Sequence, residues 1–473
     1  GGSNLTGESR NNALSTWALH HLVKNSTVSR EFRDIPSKMF DAGLALYFGL
    51  LILFGWRCLS GWRLFGAWLE YANYCVLLYA LLGILNLWGV ITFYTLAMKE
   101  EGKNVWAVSP NYLKPILLGA PPCALVTFIC AFIQTGQHVN EIRRGAAVLK
   151  HDRAVQIIAL PAVFGCMAMN SLAKMYQCAA KYDVEQGFGV VAVTTQDPLS
   201  SSVNGTGDFG ELYLAQTETC FHVADLYEAW SLFQFCKMTL EVLRSSLKNI
   251  GKSERTAENA EKQEVARGLL VAHSALENIA WVSVATFLIV CLAQAGWSLY
   301  TLYLGGDPVD WTDYNSQMMI FQAAGFVSSA AAIWNVNVVE IQFHEYFEGY
   351  GPLLKFLTVK FLLSLAYFQS GAVWVIQALN AALPGVLRNI VKKVPFLADL
   401  VLWDDNQFYL IYSAIICYEC VIGVLLHWFA WPPDEEWYSV HEEDGESEME
   451  KKPLVPKDKS AERGYCGGYC GLC

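Results

Sequence analysis

The sequence predicts an all-α, polytopic transmembrane bundle of about nine spans. Three observations predict it. The chain of 473 residues is 54% hydrophobic and only 16% charged, against about 25% charged in ordinary soluble domains. Apolar runs recur at lengths close to the ~20 residues that a helix needs to cross the hydrocarbon core. Polar or Gly/Pro-containing joins separate those runs.

In chain order, residues 1–38 hold no apolar signal core and read as a luminal or extracellular segment. A start at Gly1 fits a cleaved signal or a trimmed chain. Spans at 39–56 and 72–98 form an N-terminal two-span extension, residues 39–98. A seven-span core over 112–430 follows, with spans at 112–135, 154–176, 219–243, 279–303, 315–343, 353–381 and 407–430. The fifth span of the chain, 219–243, contains "DLYEAWSLFQFCKM", which puts Asp225, Glu228 and Lys237 among aromatic and aliphatic residues. A soluble amphipathic helix would gather its apolar residues on one stripe. Here Trp230, Leu232, Phe233, Phe235 and Met238 surround the helix, which favours insertion.

Two signals orient the bundle. Arg57, Arg63, Arg143, Arg144, Lys150, Arg153, Arg244, Lys248, Lys252, Arg255, Lys262 and Arg267 fall in joins on one side. The opposite joins hold only Lys99, Lys103, Lys181, Arg388, Lys392 and Lys393. The positive-inside rule therefore predicts an N-terminus outside and a C-terminus in the cytosol. Glycosylation acceptors at Asn4, Asn25 and Asn204 fall on one shared side, the outer one. Plasma membrane and endomembrane both fit this topology.

Most of the 14 cysteines lie within spans and read as small buried apolar side chains. Cys178 and Cys220 bracket the long outer loop, where an oxidising compartment would permit a disulfide. After Trp431 the composition turns acidic and then basic. Residues 431–473 read as a disordered cytosolic tail that closes on Cys466, Cys470 and Cys473. These cysteines are candidates for lipidation, with Cys470 at the prenylation position of a four-residue box. A free tail fits equally.

Several strings of the core resemble the organic solute transporter alpha-subunit family. "FIQTGQHVNEIRRG" with His138 is similar to its helix end carrying a histidine, and "RAVQIIALPAVFGCMAMNSL" to its arginine-led span with a central proline, Pro161, followed by Ser171. "ADLYEAWSLFQF" resembles its Arg-Asp and Tyr-Glu-Ala string, with Ala224 where the arginine is usual. "PLLKFLTVKFLLSLAYFQSG" carries Lys355, Lys360 and Gln369, and "IICYECVIGVLLHWFAWPP" carries Glu419 and His427 ahead of an aromatic-proline exit. The resemblance covers about residues 112–437. It implies a seven-span carrier of bile-acid- or steroid-like solutes, with a single-span beta subunit as partner in some relatives. The two N-terminal spans lie outside it.

Helix geometry gathers the ionisable residues into stripes. Asp225 and Glu228 share a face, Asn337, Glu340 and His344 share another, and Lys355 and Gln369 lie within about 40° at ~100° per residue while Lys360 points elsewhere. Glu419 and His427 lie roughly on one side of the last span. A charge at the bilayer centre costs at least ~2.5–3.5 kcal/mol and normally faces a cavity or a partner. One reading is a polar pathway for an amphipathic, anionic solute, lined by Asp225, Glu228, Asn337, Glu340, Lys355, Lys360, Gln369, Glu419 and His427. Lys355 or Lys360 would attract the headgroup. The other reading is interhelical pairing that locks helices together, as in a scaffold or receptor subunit of a larger assembly. For Glu228 the expected partner is Lys360 or His344.

Enzyme chemistry finds little support. His138, His222, His344 and His427 lie on four different segments, unlike the paired spacing of a zinc hydrolase. The spans contain no phosphate-cradling glycine loop or nucleophile elbow, and no cofactor is expected. Expected partners are membrane lipids, the solute, and a single-span subunit or second copy. The basic residues are juxtamembrane, so nucleic acid is not expected.

Overall fold

The computed structural model describes residues 43–49, 52, 71–99, 105, 111–144, 148–182, 207–252, 260–304, 309–343, 346–347, 350–382 and 405–438. The described residues are helical and contain no strand. The principal helices are α1 (Tyr71–Met98), α2 (Leu113–Arg143), α3 (Val148–Ile158), α4 (Leu160–Tyr182), α5 (Gly207–Lys252), α6 (Ala260–Leu299), α7 (Trp311–Phe343), α8 (Pro352–Ala382) and α9 (Asp405–Ala430). A π-helical turn, Tyr300–Leu304, extends α6, and a 3₁₀ turn, Glu436–Tyr438, follows α9.

Among the described residues, six helical stretches are long and apolar enough to cross a membrane: Leu77–Met98, Leu113–Arg143, Lys150–Ala180, Glu277–Tyr303, Trp311–Phe343 and Gln407–Ala430. They coincide with six of the nine predicted spans. The first predicted span is described only at 43–49 and 52, where it is helical. The predicted spans 219–243 and 353–381 are continuous helix within α5 and α8. α5 misses the apolar standard because of the acids, His222 and Gln234 that it carries.

The stretch Lys150–Ala180 is buried except at Asp152, which is half-buried, whereas the most apolar windows of α1, α2, α6 and α7 are roughly a third buried. α3 and α4 therefore form a central post. α1, α2, α5 and α9 pack around it; α6 packs on α5, α7 on α6, and α8 against α9 and α5. The outer faces are apolar, with Ile84, Ile91, Ile129, Val282, Phe326 and Phe429 exposed. Such a continuous apolar exterior marks a lipid-facing surface.

Polar groups join the post to its neighbours. Asn170 Nδ2 donates to the Cys166 and Leu85 carbonyls at 2.7 and 3.4 Å, and Ser171 meets Ser413 at 2.6 Å; between α1 and α2, Tyr79 meets Thr135 at 2.8 Å. Prolines open the helices locally. Pro122 has no N–H for the Leu118 carbonyl, and the Tyr94 hydroxyl donates to that carbonyl at 3.0 Å. At the α3–α4 junction, just before Pro161, the Gln156 carbonyl accepts from the Tyr227 hydroxyl at 2.8 Å. The Trp230 indole donates to the Gln156 side chain at 2.8 Å, and Gln156 in turn donates to Asp152. Tyr227 and Trp230, from the acidic span string, thus grip the bend in the central post.

The predicted Cys178–Cys220 disulfide is not formed. Cys220 lies well inside α5, donates to the Gln216 carbonyl at 3.4 Å and interacts with Cys166 of the post. Cys178 lies three turns further along α4 than Cys166, about 18 Å at 1.5 Å per residue. Helix register therefore keeps the two thiols at different depths. Asn4, Asn25, Asn204, His344, Cys466, Cys470 and Cys473 lie outside the described residues, as does the Glu340 side chain.

Candidate functional site

Charged side chains gather at two levels of the bundle. The first is mid-bundle. Glu228 stands near the middle of α5 and Lys360 about two turns into α8, and Lys360 Nζ lies 2.8 Å from Glu228 Oε1. The Glu228 side chain is 0% exposed and that of Lys360 6%. Lys360 also sits over the Phe287 ring of α6, at 5.1 Å from its centroid. Asp225, one turn before Glu228, interacts with both members of the pair, and Cys291 of α6 faces all three. Glu228 Oε2 has no hydrogen-bond partner among the described residues. The expected basic partner of Glu228 is therefore Lys360, and one carboxylate oxygen stays unmatched.

Further along α8, Gln369 donates to Glu419 of α9, which leaves Glu419 Oε2 and Gln369 Oε1 without partners among the described residues. Lys355, Lys360 and Gln369 thus face three different neighbours. Asn337 joins none of these groups; it lines a narrow crevice with Phe235, Thr239, Val336, Pro352, Leu353 and Phe356. His427 Nδ1 lies 2.8 Å from the Gly423 carbonyl on its own helix, while its own carbonyl accepts from Gln134 at 3.0 Å.

The second level is the end of the bundle that carries Arg143, Arg144 and Arg153. Here the chain leaving α9, residues 431–438, runs back across the helix ends as a strap. Lys355 reaches Glu435 at 2.7 Å and donates to the Tyr350 carbonyl at 2.7 Å. The Tyr350, Trp431 and Trp437 rings surround its ammonium at 5.0, 5.3 and 5.8 Å. This is an aromatic cage of the kind that favours cations. Lys150 donates to the Trp437 carbonyl at 2.8 Å, Gln134 donates to the Trp431 carbonyl at 3.1 Å, and His138 meets that same carbonyl at 3.1 Å. His138 and His151 touch through their Nδ1 atoms at 3.0 Å, and the His151 ring stacks on Tyr438 with centroids 4.1 Å apart. Burial pushes the Glu435 carboxyl up from its ordinary range, against the pull of Lys355 and the Trp437 indole.

The strap escaped the sequence reading because "PPDEEWY" opens an acidic stretch that looks solvated. The two tryptophans that flank the acids were the available signal. Lys174 was missed as well: buried in the post, it donates to Gln216 at 3.3 Å and to the Tyr303 hydroxyl at 3.1 Å. Among the described residues no group of three or more His, Cys, Asp and Glu could hold a metal ion.

Residues 210–436 match the family described as organic solute transporter Ostalpha. Over this segment the chain is similar to the Ostalpha family. The Ostalpha segment spans α5 to α9 and the start of the strap, so it contains Glu228, Lys360, Lys355, Glu419 and Glu435. The Ostalpha family implies solute transport across a membrane, in keeping with the six apolar helices. α1, α2 and the central post precede the matched segment. Neither a curated protein nor a solved structure matches the chain.

Proposed function

We propose that the protein carries amphipathic organic solutes, anionic and steroid- or lipid-like, along a polar path lined by α5, α7, α8 and α9. The observation that carries this reading is the Glu228–Lys360 pair. It lies inside a family segment of transporters, at mid-bundle, with a second acid beside it and one carboxylate oxygen unmatched. A buried pair held this way is switchable: a carboxylate or sulfate headgroup can replace Glu228 at Lys360 with no net change in buried charge, provided Glu228 takes up a proton or a cation. Asp225, Asn337, Glu340, Lys355, Gln369, Glu419 and His427 complete the proposed path.

Two crevices among the described residues, one lined by Tyr79, Gln156 and Tyr227 and one by Phe235, Asn337 and Phe356, have room for about one water each. In this reading passage along the path requires α8 to move relative to α5. Tight packing also supports the second reading, a membrane scaffold or receptor subunit in which the same groups act only as interhelical glue.

In the proposed topology the strap end faces the cytosol and the N-terminus is outside. Asn4, Asn25 and Asn204 would be glycosylated, and Cys466, Cys470 and Cys473 are the lipidation candidates. A single-span subunit or a second copy is the proposed protein partner, in the plasma membrane or an endomembrane.

The test is uptake of a radiolabelled steroid sulfate into proteoliposomes. The near-isosteric double variant Glu228→Gln/Lys360→Met keeps the helices packed and should reduce uptake at least tenfold. Uptake by the wild type indistinguishable from empty vesicles, for a panel of anionic steroids and lipids, leaves the scaffold reading.

A further inference from the structure

The strap has a geometry that ordinary chain exit does not require. A chain leaving α9 toward water has no need to bury two tryptophans and a carboxylate against the ends of four helices. Here Trp431 is 0% exposed and Trp437 7%, and Trp431 packs edge-on against Phe235 of α5. The Trp431 indole also donates to Thr358 of α8 at 3.3 Å. Glu435 meets Lys355 inside an aromatic cage, and the Trp437 indole holds its second oxygen at 2.5 Å. One carboxylate, carried on a chain segment, is thus presented to one caged ammonium, as a bound anion would be.

Next to the cage lies a narrow, mainly apolar crevice, to which Thr239 and Asn337 also contribute. The crevice lined by Phe235, Val336, Leu353 and Phe356 lies between α5, α7 and the start of α8. Phe235 belongs to both sites, since its ring meets Phe356 at 6.0 Å and Trp431 at 6.3 Å. With the strap in place the crevice holds only about one water, so the caged cation matches the headgroup of an anion, and an apolar body would lie along Phe235 and Phe356 only once the strap has moved.

We propose that residues 431–438 are a tethered gate whose Glu435 carboxylate occupies the Lys355 anion site while the gate is closed, and that an anionic solute opens the gate by displacing it. This rests on the transport reading for what the displacement serves. The contact is suited to release, because the strap is not fully satisfied: the Tyr438 hydroxyl is buried with no hydrogen-bond partner among the described residues. Burial also disfavours the ionised form of Glu435. Lys150, Gln134 and His138 hold strap carbonyls whatever the strap side chains are, whereas the Trp431 contacts with Thr358 and Phe235 and the stack of Tyr438 on His151 are side-chain contacts that opening must break.

The experiment uses the full chain, purified in detergent, under limited chymotrypsin, with the peptides ending at Trp437 and Tyr438 counted by mass spectrometry. A steroid sulfate should raise cleavage at these sites in a saturable way, and its uncharged parent should not. Glu435→Gln should raise cleavage about tenfold without any probe, because it removes one charge-assisted hydrogen bond. Lys355→Gln should abolish the response to the sulfate. Cleavage that responds neither to the sulfate nor to Glu435→Gln overturns the gate. If vesicles show no flux while displacement occurs, the transport reading fails and the Lys355 anion site stands; flux with an unresponsive strap removes the gate alone.

Discussion

Glu228 of α5 and Lys360 of α8 face each other at 2.8 Å, both withdrawn from solvent, and are separated in sequence by two complete helices. Desolvating two charges is expensive, and their attraction repays it only while both are present. Removal of one partner is therefore far more damaging than removal of both.

Lys360→Met alone should destabilise the protein by about 3–5 kcal/mol, and adding Glu228→Gln should restore most of that loss. Thermal unfolding of the purified single and double variants measures both. Equal stability of the Lys360→Met protein and the wild type would show that the pair is solvated and not a buried contact.

Gln369 donates to Glu419 across α8 and α9. Gln369→Leu should strand that carboxyl and cost about 1–3 kcal/mol, while Glu419→Gln should cost less because an amide can still accept from Gln369. The order of the two melting temperatures decides the matter; the reverse order is incompatible with the contact.

A Cβ built on Gly119 of α2 would overlap the Tyr418 hydroxyl, which donates to the Ile116 carbonyl at 2.9 Å. Gly119→Ala should displace Tyr418 and lower stability by about 1–3 kcal/mol despite its better helix propensity. Tyr418→Phe in the same background should recover part of the loss. A stabilised Gly119→Ala protein would mean that α2 and α9 do not approach this closely.

Tyr227→Phe removes one hydrogen bond from the bend at Gln156 and should cost only about 0.5–1.5 kcal/mol. Exchange of the Ala159 and Leu160 amide hydrogens should nevertheless speed up, since the Tyr227 grip closes that turn. Unchanged exchange there would assign the bend to Pro161 alone.

The helices were legible because hydrocarbon demands long apolar runs, and the sequence contains them. The Glu228–Lys360 contact was legible too, for a carboxylate among aromatic rings has to find a cation and few were at its depth. The strap was not legible. Acidic residues read as solvated wherever they cluster, and nothing local reports that Trp431 and Trp437 anchor Glu435 beside Lys355. The Cys178–Cys220 expectation failed for a related reason. Proximity along a loop says little about depth, and the register of α4 and α5 places Cys220 beside Cys166. The centrality of α4 was hidden as well, since Asn170, Lys174 and Gln177 give it no more hydropathy than its neighbours.

The burial of the post on all sides has a consequence for how the chain is made. Its polar residues, Arg153, Asn170, Lys174 and Gln177 among them, touch protein and not lipid in the finished bundle. During synthesis the post emerges before α5 and α9, the helices that shield two of its flanks. The translation and insertion machinery must therefore hold a half-sheltered helix through the synthesis of more than two hundred further residues. A chain truncated before residue 405 lacks α9 and should be retained and degraded, which a pulse-chase of the truncated chain measures.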